Sequence, residues 1–264
     1  MKRVASIQDI SCLGRCSLTV ALPVISAMEV ECAILPTAVL SAHTMFPDIL
    51  CRDLTADILP IARYWQSQQV RLDAVYTGYL ASPRQVEDVC QALEVLAGPD
   101  TLRFVDPAMA DGGALYTGFD EDFPRHMARL AAQADVVTPN LTEACLLTGT
   151  PYREDYDLPR LRDILRKLAE LGPRHVVLTG VPYGPDKLGV LAYTPYCFFH
   201  RHEQPFRLIV RQHRQPPHRC PFSRHGGSLL LRLRRCPDAG QAAGGGPAFG
   251  GGFHAAVHPS HLPG

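Results

Sequence analysis

Apolar positions along this chain fall into two alternating patterns. Short apolar runs at 4–8, 31–36, 73–77, 102–105, 135–138 and 175–179 have the length and bounding residues of buried strands. Between them, apolar residues recur at helical spacing over 17–28, 55–68, 83–96, 123–134, 141–147 and 158–171. Local signals support the boundaries. Ser82 precedes Pro83 as an N-cap before an N1 proline, and Gly149 is placed to close the helix that begins at Leu141. Strands alternating with helices predict an α/β fold, a three-layer α/β/α domain around a mostly parallel, doubly wound sheet. The alternation is regular to about residue 181 and fails from about 195. The chain therefore divides into a domain over 1–195 and an Arg/His/Gly/Pro-rich tail over 196–264 with little to pack as strand or helix.

Polar residues are placed at telling positions in this pattern. Asp9, Gly78, Asp106, Thr138-Pro139-Asn140 and Thr179-Gly180 each follow a predicted strand directly. Ligands of open α/β sheets sit beyond the carboxyl ends of the strands, so these residues mark one rim as a site. Turn residues collect at such ends in any α/β protein, but that does not account for Asp106, Asp111 and Glu143 together. Pro107 ends the strand that precedes Asp106, and Gly112-Gly113 after Asp111 let the backbone turn closely. Two carboxylates beside a glycine pair suit a cation and a polyphosphate; an acidic loop with a cap is the plainer use of such a segment. Glu143 stands three residues after Asn140 at a helix start. That spacing most commonly makes a capping box, and alternatively Glu143 and Asp111 hold Mg²⁺ through water while Asn140 meets phosphate.

Composition narrows the classes. A chain of 264 residues can bury the core of one large α/β domain, and no apolar run reaches the roughly 20 residues of a membrane span. The N-terminus carries Asp9 where a secretion signal needs its apolar stretch, which predicts a cytoplasmic protein without membrane attachment. Nine cysteines read as free thiols, since the close pair Cys12 and Cys16 has no matching zinc half-site. The net charge of zero hides a split. Residues 1–195 hold 17 Lys+Arg against 24 Asp+Glu, whereas 196–264 hold 9 against 2, and all nine are arginine. Such a basic arm suits nucleic acid, but no aromatic platform accompanies it, so nucleic acid is not an expected partner.

The motifs Ile7-Gln8-Asp9, Ser41-Ala42-His43-Thr44, Gly78-Tyr79-Leu80, Asp106-Pro107-Ala108-Met109-Ala110-Asp111, Leu115-Tyr116 and Thr138-Pro139-Asn140 with Glu143 occur in this order. Over residues 3 to about 195 the chain resembles the vitamin B6 (pyridoxal/pyridoxine/pyridoxamine) kinases of the ribokinase-like superfamily. The resemblance implies transfer of phosphate from MgATP to the 5′-hydroxymethyl of a B6 vitamer, with hydroxymethylpyrimidine kinase as the related alternative. It implies that Asp9, His43, Thr44, Met45 and Tyr79 line the vitamer pocket, His43-Thr44 lying in a segment that closes over it. It places Asp106, Asp111, Tyr116, Thr138, Asn140 and Thr179 along the nucleotide, with Asp111 and Glu143 at Mg²⁺ and a monovalent cation such as K⁺ nearby. It also implies a homodimer. A distributed polar site of this kind fits phosphoryl transfer, which is catalysed mainly by positioning and charge stabilisation.

Three departures qualify the resemblance. Asp9 stands where many relatives have serine, Ala110 replaces the usual glycine before Asp111, and the family's late Gly-Thr-Gly-Asp is absent from all 264 residues. That motif supplies an anion hole and the base for the substrate hydroxyl, so weak or no turnover is expected, or a defective protein that still binds nucleotide or vitamer. The one late aspartate outside the domain, Asp238, sits in an Arg/Cys/Gly-rich context unlike a catalytic loop. The segment Arg224-His225-Gly226-Gly227-Ser228 is compatible with codons that, read one base later, spell Gly-Thr-Gly-Asp and then leucine. A tail translated out of frame is thus the preferred reading of 196–264.

Overall fold

The computed structural model of the chain describes residues 1–44, 46–182, 187–194 and 206–212; Met45, residues 224–228 and Asp238 lie outside them. The strands are β1 (Arg3–Ser11), β2 (Glu31–Leu40), β3 (Cys51–Asp53), β4 (Ala74–Thr77), β5 (Leu102–Val105), β6 (Ala110–Asp111), β7 (Ala114–Leu115), β8 (Val136–Val137), β9 (His175–Pro182), β10 (Lys187–Tyr193) and β11 (Phe206–Gln212). The helices are α1 (Leu18–Ser26), α2 (Thr55–Ser67), α3 (Pro83–Leu96), α4 (Phe123–Ala131), α5 (Leu141–Thr148) and α6 (Leu158–Glu170). One sheet runs β11-β10-β9-β8-β5-β4-β1-β2-β3, and β6-β7 form a separate hairpin. From β9 to β2 every pairing is parallel; β3, β10 and β11 add antiparallel edges.

The two faces of the sheet are covered unequally. Ala5, Ile7, Leu35, Val75, Val105 and Val137 point to the side where α2 to α6 pack, among them Ile58, Val89, Leu93, Met127, Leu130, Ile164 and Leu168. The intervening residues Ala74, Tyr76, Phe104 and Val136 meet Ala21 and Ile25 of α1. Successive side chains of a strand alternate between faces, which is why each central strand serves both clusters. Among the described residues α1 is the one helix on this second face.

Several elements run differently from the sequence expectation. β1 and β2 continue past residues 8 and 36, so Asp9 lies inside its strand rather than after it, and Thr179-Gly180 likewise lie inside β9. The reason is pairing: Ile10 and Ser11 find Val39 and Leu40 across a bulge, and β9 gains β10 as an antiparallel neighbour. α4 stops at Ala131 although apolar residues continue to Ala134, because Asp135 is tied to β5 by accepting from Arg103 N (2.9 Å). β3, β10 and the β6-β7 hairpin have no signal of their own beyond short apolar stretches. β11 corrects the view of 196–264 as lacking strand: Phe206–Gln212 ladders with β10 over its whole length.

Gln85, fully buried at the start of α3, pins the β2–β3 end of the sheet. Its Oε1 accepts from Ala81 N (2.9 Å), and its Nε2 reaches Thr37 O (3.0 Å) and Thr55 Oγ1 (3.0 Å).

Candidate active site

The rim formed by the carboxyl ends of β1, β4, β5 and β8 carries the candidate residues. At β1 the pairing with β2 slips between Gln8 and Ile10, so Thr37 and Ala38 oppose the single Asp9. Asp9 is 2% exposed; its Oδ2 accepts from Ser11 Oγ (3.0 Å), and its Oδ1 has no hydrogen-bond partner among the described residues. Burial raises its pKa above the usual carboxylate value, opposed by the hydroxyls of Ser17 and Ser11. Nearby, His43 is turned inward while Thr44 is exposed. The His43 ring lies against Gly14, where any Cβ would meet its Cδ2 at 2.3 Å, and stands edge-on to Phe46 at 4.7 Å. Gly14, at φ 103°, is thus required by both conformation and space.

Tyr79 follows β4. Its phenol is pushed up to about 12 by burial, then by the charges of Asp9 and Cys51, which puts Asp9 within its electrostatic reach. Gly78 before it leaves room for Gln8, whose Oε1 would be 2.6 Å from a Cβ there.

Asp106 takes its place beyond β5 by donating its backbone N–H to Thr77 O (3.1 Å), and its Oδ2 accepts from Tyr76 Oη (3.4 Å). It keeps part of its surface open to solvent yet is enclosed by protein, and desolvation raises its pKa to about 7. Glu143 is raised well above the usual range by burial, then by the charge of Asp106. Both Glu143 oxygens accept backbone N–H groups, Oε2 from Asn140 (2.8 Å) and Oε1 from Met109 (3.1 Å). Asn140 Oδ1 accepts from Glu143 N (2.9 Å), completing a capping box on α5, and its Nδ2 donates to Ala110 O (2.7 Å). The polar atoms of Asn140 are therefore committed inside the protein, where the sequence left phosphate contact open.

The glycine pair has a defined use. Gly112 (φ 58°) and Gly113 (φ 84°) are the two turn residues of the β6-β7 hairpin, a conformation that L side chains resist. Gly113 N donates to Thr142 Oγ1 (3.0 Å), and the Tyr152 ring lies where a Gly113 Cβ would come within 2.7 Å. Asp111, whose Oδ1 accepts from Gly112 N (2.9 Å), is thus held on a hairpin docked to the start of α5. Tyr116 follows the hairpin with its N–H on Met109 O (2.9 Å). Burial, then Glu143, Asp111, Asp106 and Tyr79, push its phenol far up. One side chain thus senses all three acids and Tyr79. Thr138 donates its N–H to Val105 O (3.0 Å), and Thr179 donates its N–H to Pro139 O (2.9 Å); both side chains are buried.

The structure therefore brings Asp106, Asp111, Tyr116, Asn140 and Glu143 together and joins them through Tyr79 to Asp9. No group of three or more His, Cys, Asp or Glu forms a ready ligand set among the described residues. Asp106 and Glu143, both raised by burial and without a positive partner among the described residues, suit together with Asp111 a hard, oxygen-ligated cation that keeps most of its waters. Sequence reasoning missed Tyr76, Thr142 and Tyr152. Tyr76 had a signal in strand alternation, since it pairs with Phe104 and so shares a face with Asp106.

Comparison with known proteins follows the same lines. The sequence profile of the phosphomethylpyrimidine kinase family matches residues 23–198. The chain belongs to the phosphomethylpyrimidine kinase family. Within it, a Bacteroides thetaiotaomicron protein described as a phosphomethylpyrimidine kinase, crystallised with pyridoxal, is 42% identical with a TM-score of 0.71, over 73% of this chain and 68% of that one. Pyridoxal kinase from Lactobacillus plantarum is 33% identical with a TM-score of 0.71, over 83% of this chain and 74% of that one. Pyridoxal kinase PdxY of Pasteurella multocida is 32% identical over 111 residues, 40% of this chain. That match spans 37% of the Pasteurella protein, well under half its length. The likeness to phosphomethylpyrimidine kinase family structures extends to the mostly parallel sheet and its helices, as the resemblance implied.

Proposed function

We propose that the chain binds a B6 vitamer and MgATP and is built to phosphorylate the vitamer's 5′-hydroxymethyl. The observation that carries this reading is the placement of Asp9 on β1, Tyr79 after β4, Asp106 after β5 and the hairpin–α5 unit that holds Asp111 and Glu143 along one rim of the sheet. It supplies a substrate end and an acidic, cation-holding end on one rim. In this reading Asp9, His43, Thr44, Met45 and Tyr79 form the vitamer pocket. Asp106, Asp111, Tyr116, Thr138, Asn140 and Thr179 lie along the nucleotide, and Asp111 and Glu143 hold Mg²⁺ through its waters, with a monovalent cation such as K⁺ beside them. When bound, Mg²⁺ neutralises charge developing on the transferred phosphoryl group. The protein's own part is to position the hydroxymethyl against that group and to keep water out. The two sites would be used in a homodimer.

Because Gly-Thr-Gly-Asp is missing from the 264 residues, binding is expected to outlast turnover. The relative crystallised with pyridoxal supports the vitamer, whereas the matching family profile favours a second reading, hydroxymethylpyrimidine kinase. A thermal-shift series with pyridoxal, pyridoxamine and hydroxymethylpyrimidine, each with and without MgATP, separates the two, since a ligand stabilises the state that binds it. Stabilisation by pyridoxal or pyridoxamine with slow release of the 5′-phosphate is the expected result. Stabilisation by hydroxymethylpyrimidine alone would replace this reading with the second. Turnover of pyridoxal at an ordinary enzyme rate would overturn the expectation of a crippled transfer step.

A further inference from the structure

Among the described residues the strongest unexplained group is the Asp9 carboxylate. It is 2% exposed, and one of its two oxygens has no donor at hydrogen-bond geometry. Burying a carboxylate oxygen without a partner is costly, and such a group in a native structure calls for an explanation. Among the described residues no donor meets that oxygen at hydrogen-bond geometry, and the hydroxyls of Ser11 and Ser17 act on the carboxylate only as neutral groups. The titratable groups within its electrostatic reach are Cys16 after β1, Cys51 at the start of β3 and Tyr79 after β4. Each of these ionises to an anion, each is shifted toward its neutral form, and no lysine or arginine among the described residues acts on Asp9.

The neighbouring strand repeats the pattern. Thr37 sits across the bulge from Asp9, is 1% exposed, and its Oγ1 also lacks a partner. Both lie at the same irregularity in the β1–β2 pairing, so the two unsatisfied groups occupy facing positions on neighbouring strands. A carboxylate oxygen and a hydroxyl left unsatisfied on neighbouring strands suit a ligand edge carrying a cationic N–H.

We propose that Asp9 selects the substrate in its ring-protonated form, Oδ1 accepting the N–H of a 3-hydroxypyridinium while Thr37 Oγ1 meets the polar group beside it. This inference rests on the reading that the site takes a B6 vitamer and specifies which ionic form it takes. Above the ring nitrogen's own pKa, the complex draws one proton from solvent as it forms and holds it between the ring nitrogen and Oδ1. A neutral hydroxyl in place of the carboxylate could only share a hydrogen bond with the ring, so the aspartate makes protonation part of recognition.

The test uses the full chain without nucleotide and 4-deoxypyridoxine as probe, whose ultraviolet spectrum distinguishes protonated from neutral ring. At a pH well above the free probe's ring pKa, wild type should bind it with the spectrum of the protonated form. Asp9→Asn should bind it on the order of ten- to a hundredfold more weakly and in the neutral form, because the charged acceptor is gone. The N-methylated probe, which has no N–H, should bind wild type as weakly as the parent probe binds Asp9→Asn. Should Asp9→Asn lose its thermal transition, Asp9→Ser gives the same comparison. A neutral-ring spectrum in the wild-type complex, or equal affinity in a folded variant, would overturn the role of Asp9 and leave the vitamer reading standing. A folded wild type that binds neither probe nor any vitamer would overturn both.

Discussion

Asp106 shows how one side chain records the character of the site. It lies beyond β5, is held by Tyr76 Oη at 3.4 Å, and titrates near 7 because desolvation disfavours its charge. Its folded pKa is therefore above its unfolded one. The native state keeps a proton that the unfolded chain gives up, so this group's contribution is fully present below about pH 4. It is lost as pH rises through about 7. Glu143, pushed in the same direction by burial and by Asp106, steepens the loss, and the two acids titrate as a pair. Thermal melts of the chain between pH 5 and 8 should fall with rising pH, and Asp106→Asn should flatten that slope. At pH 8 the variant should be the more stable, by on the order of 2 kcal/mol. A slope unchanged by the substitution would mean that Asp106 is already ionised in the folded protein. Mg²⁺ should reverse the trend by favouring the anions it binds.

At the scale of elements, the hairpin and α5 behave as one piece. Glu143 accepts from Asn140 N and Met109 N, Asn140 donates to Ala110 O, and Thr142 Oγ1 accepts from Gly113 N. Glu143→Ala should orphan two buried donors and cost about 2–4 kcal/mol in urea unfolding; Glu143→Gln, which keeps one acceptor, should cost less than half of that. Equal costs would mean that the cap alone matters. Of the two uses of Glu143 weighed from the sequence, the capping box with Asn140 is formed. The cap was legible because Asn140 and Glu143 are three apart, a local relation. So were α3 behind Ser82, α5 up to Gly149, and the strand Leu102–Val105, each fixed by signals within a few residues. The extension of β1 through Asp9 was not, because it depends on Val39 and Leu40 about 30 positions away. The hairpin was hidden for another reason: strands of two residues are too short to show a period, and Gly112-Gly113 read as a loop. Tyr76 escaped notice because a tyrosine in an apolar run reads as core, and its hydroxyl finds Asp106 only once β4 and β5 pair.

For the whole molecule, the unequal dressing of the sheet has measurable effects. Among the described residues five helices cover one face, whereas α1 meets the other, where Val4, Cys32, Leu102 and Val177 are partly buried and Ile34 is 37% exposed. Apolar surface of that kind invites association. The out-of-frame reading of the tail makes this testable: a gene corrected by one base near codon 224 should yield Gly-Thr-Gly-Asp. The corrected protein should bind less of an apolar fluorescent dye, run as a single dimer by light scattering, and regain turnover. If the shifted frame lacks that motif, this account of the tail falls. The bond between Glu143 and the hairpin also sets how news of a bound ligand spreads. A visitor that stiffens the loop around Asp111 must tighten the first turn of α5 through the same carboxylate, and Thr179 through the bridge it shares with Asn140. Amide exchange should consequently slow along a path from residue 109 to residue 179, far beyond the footprint of anything that docks at the turn.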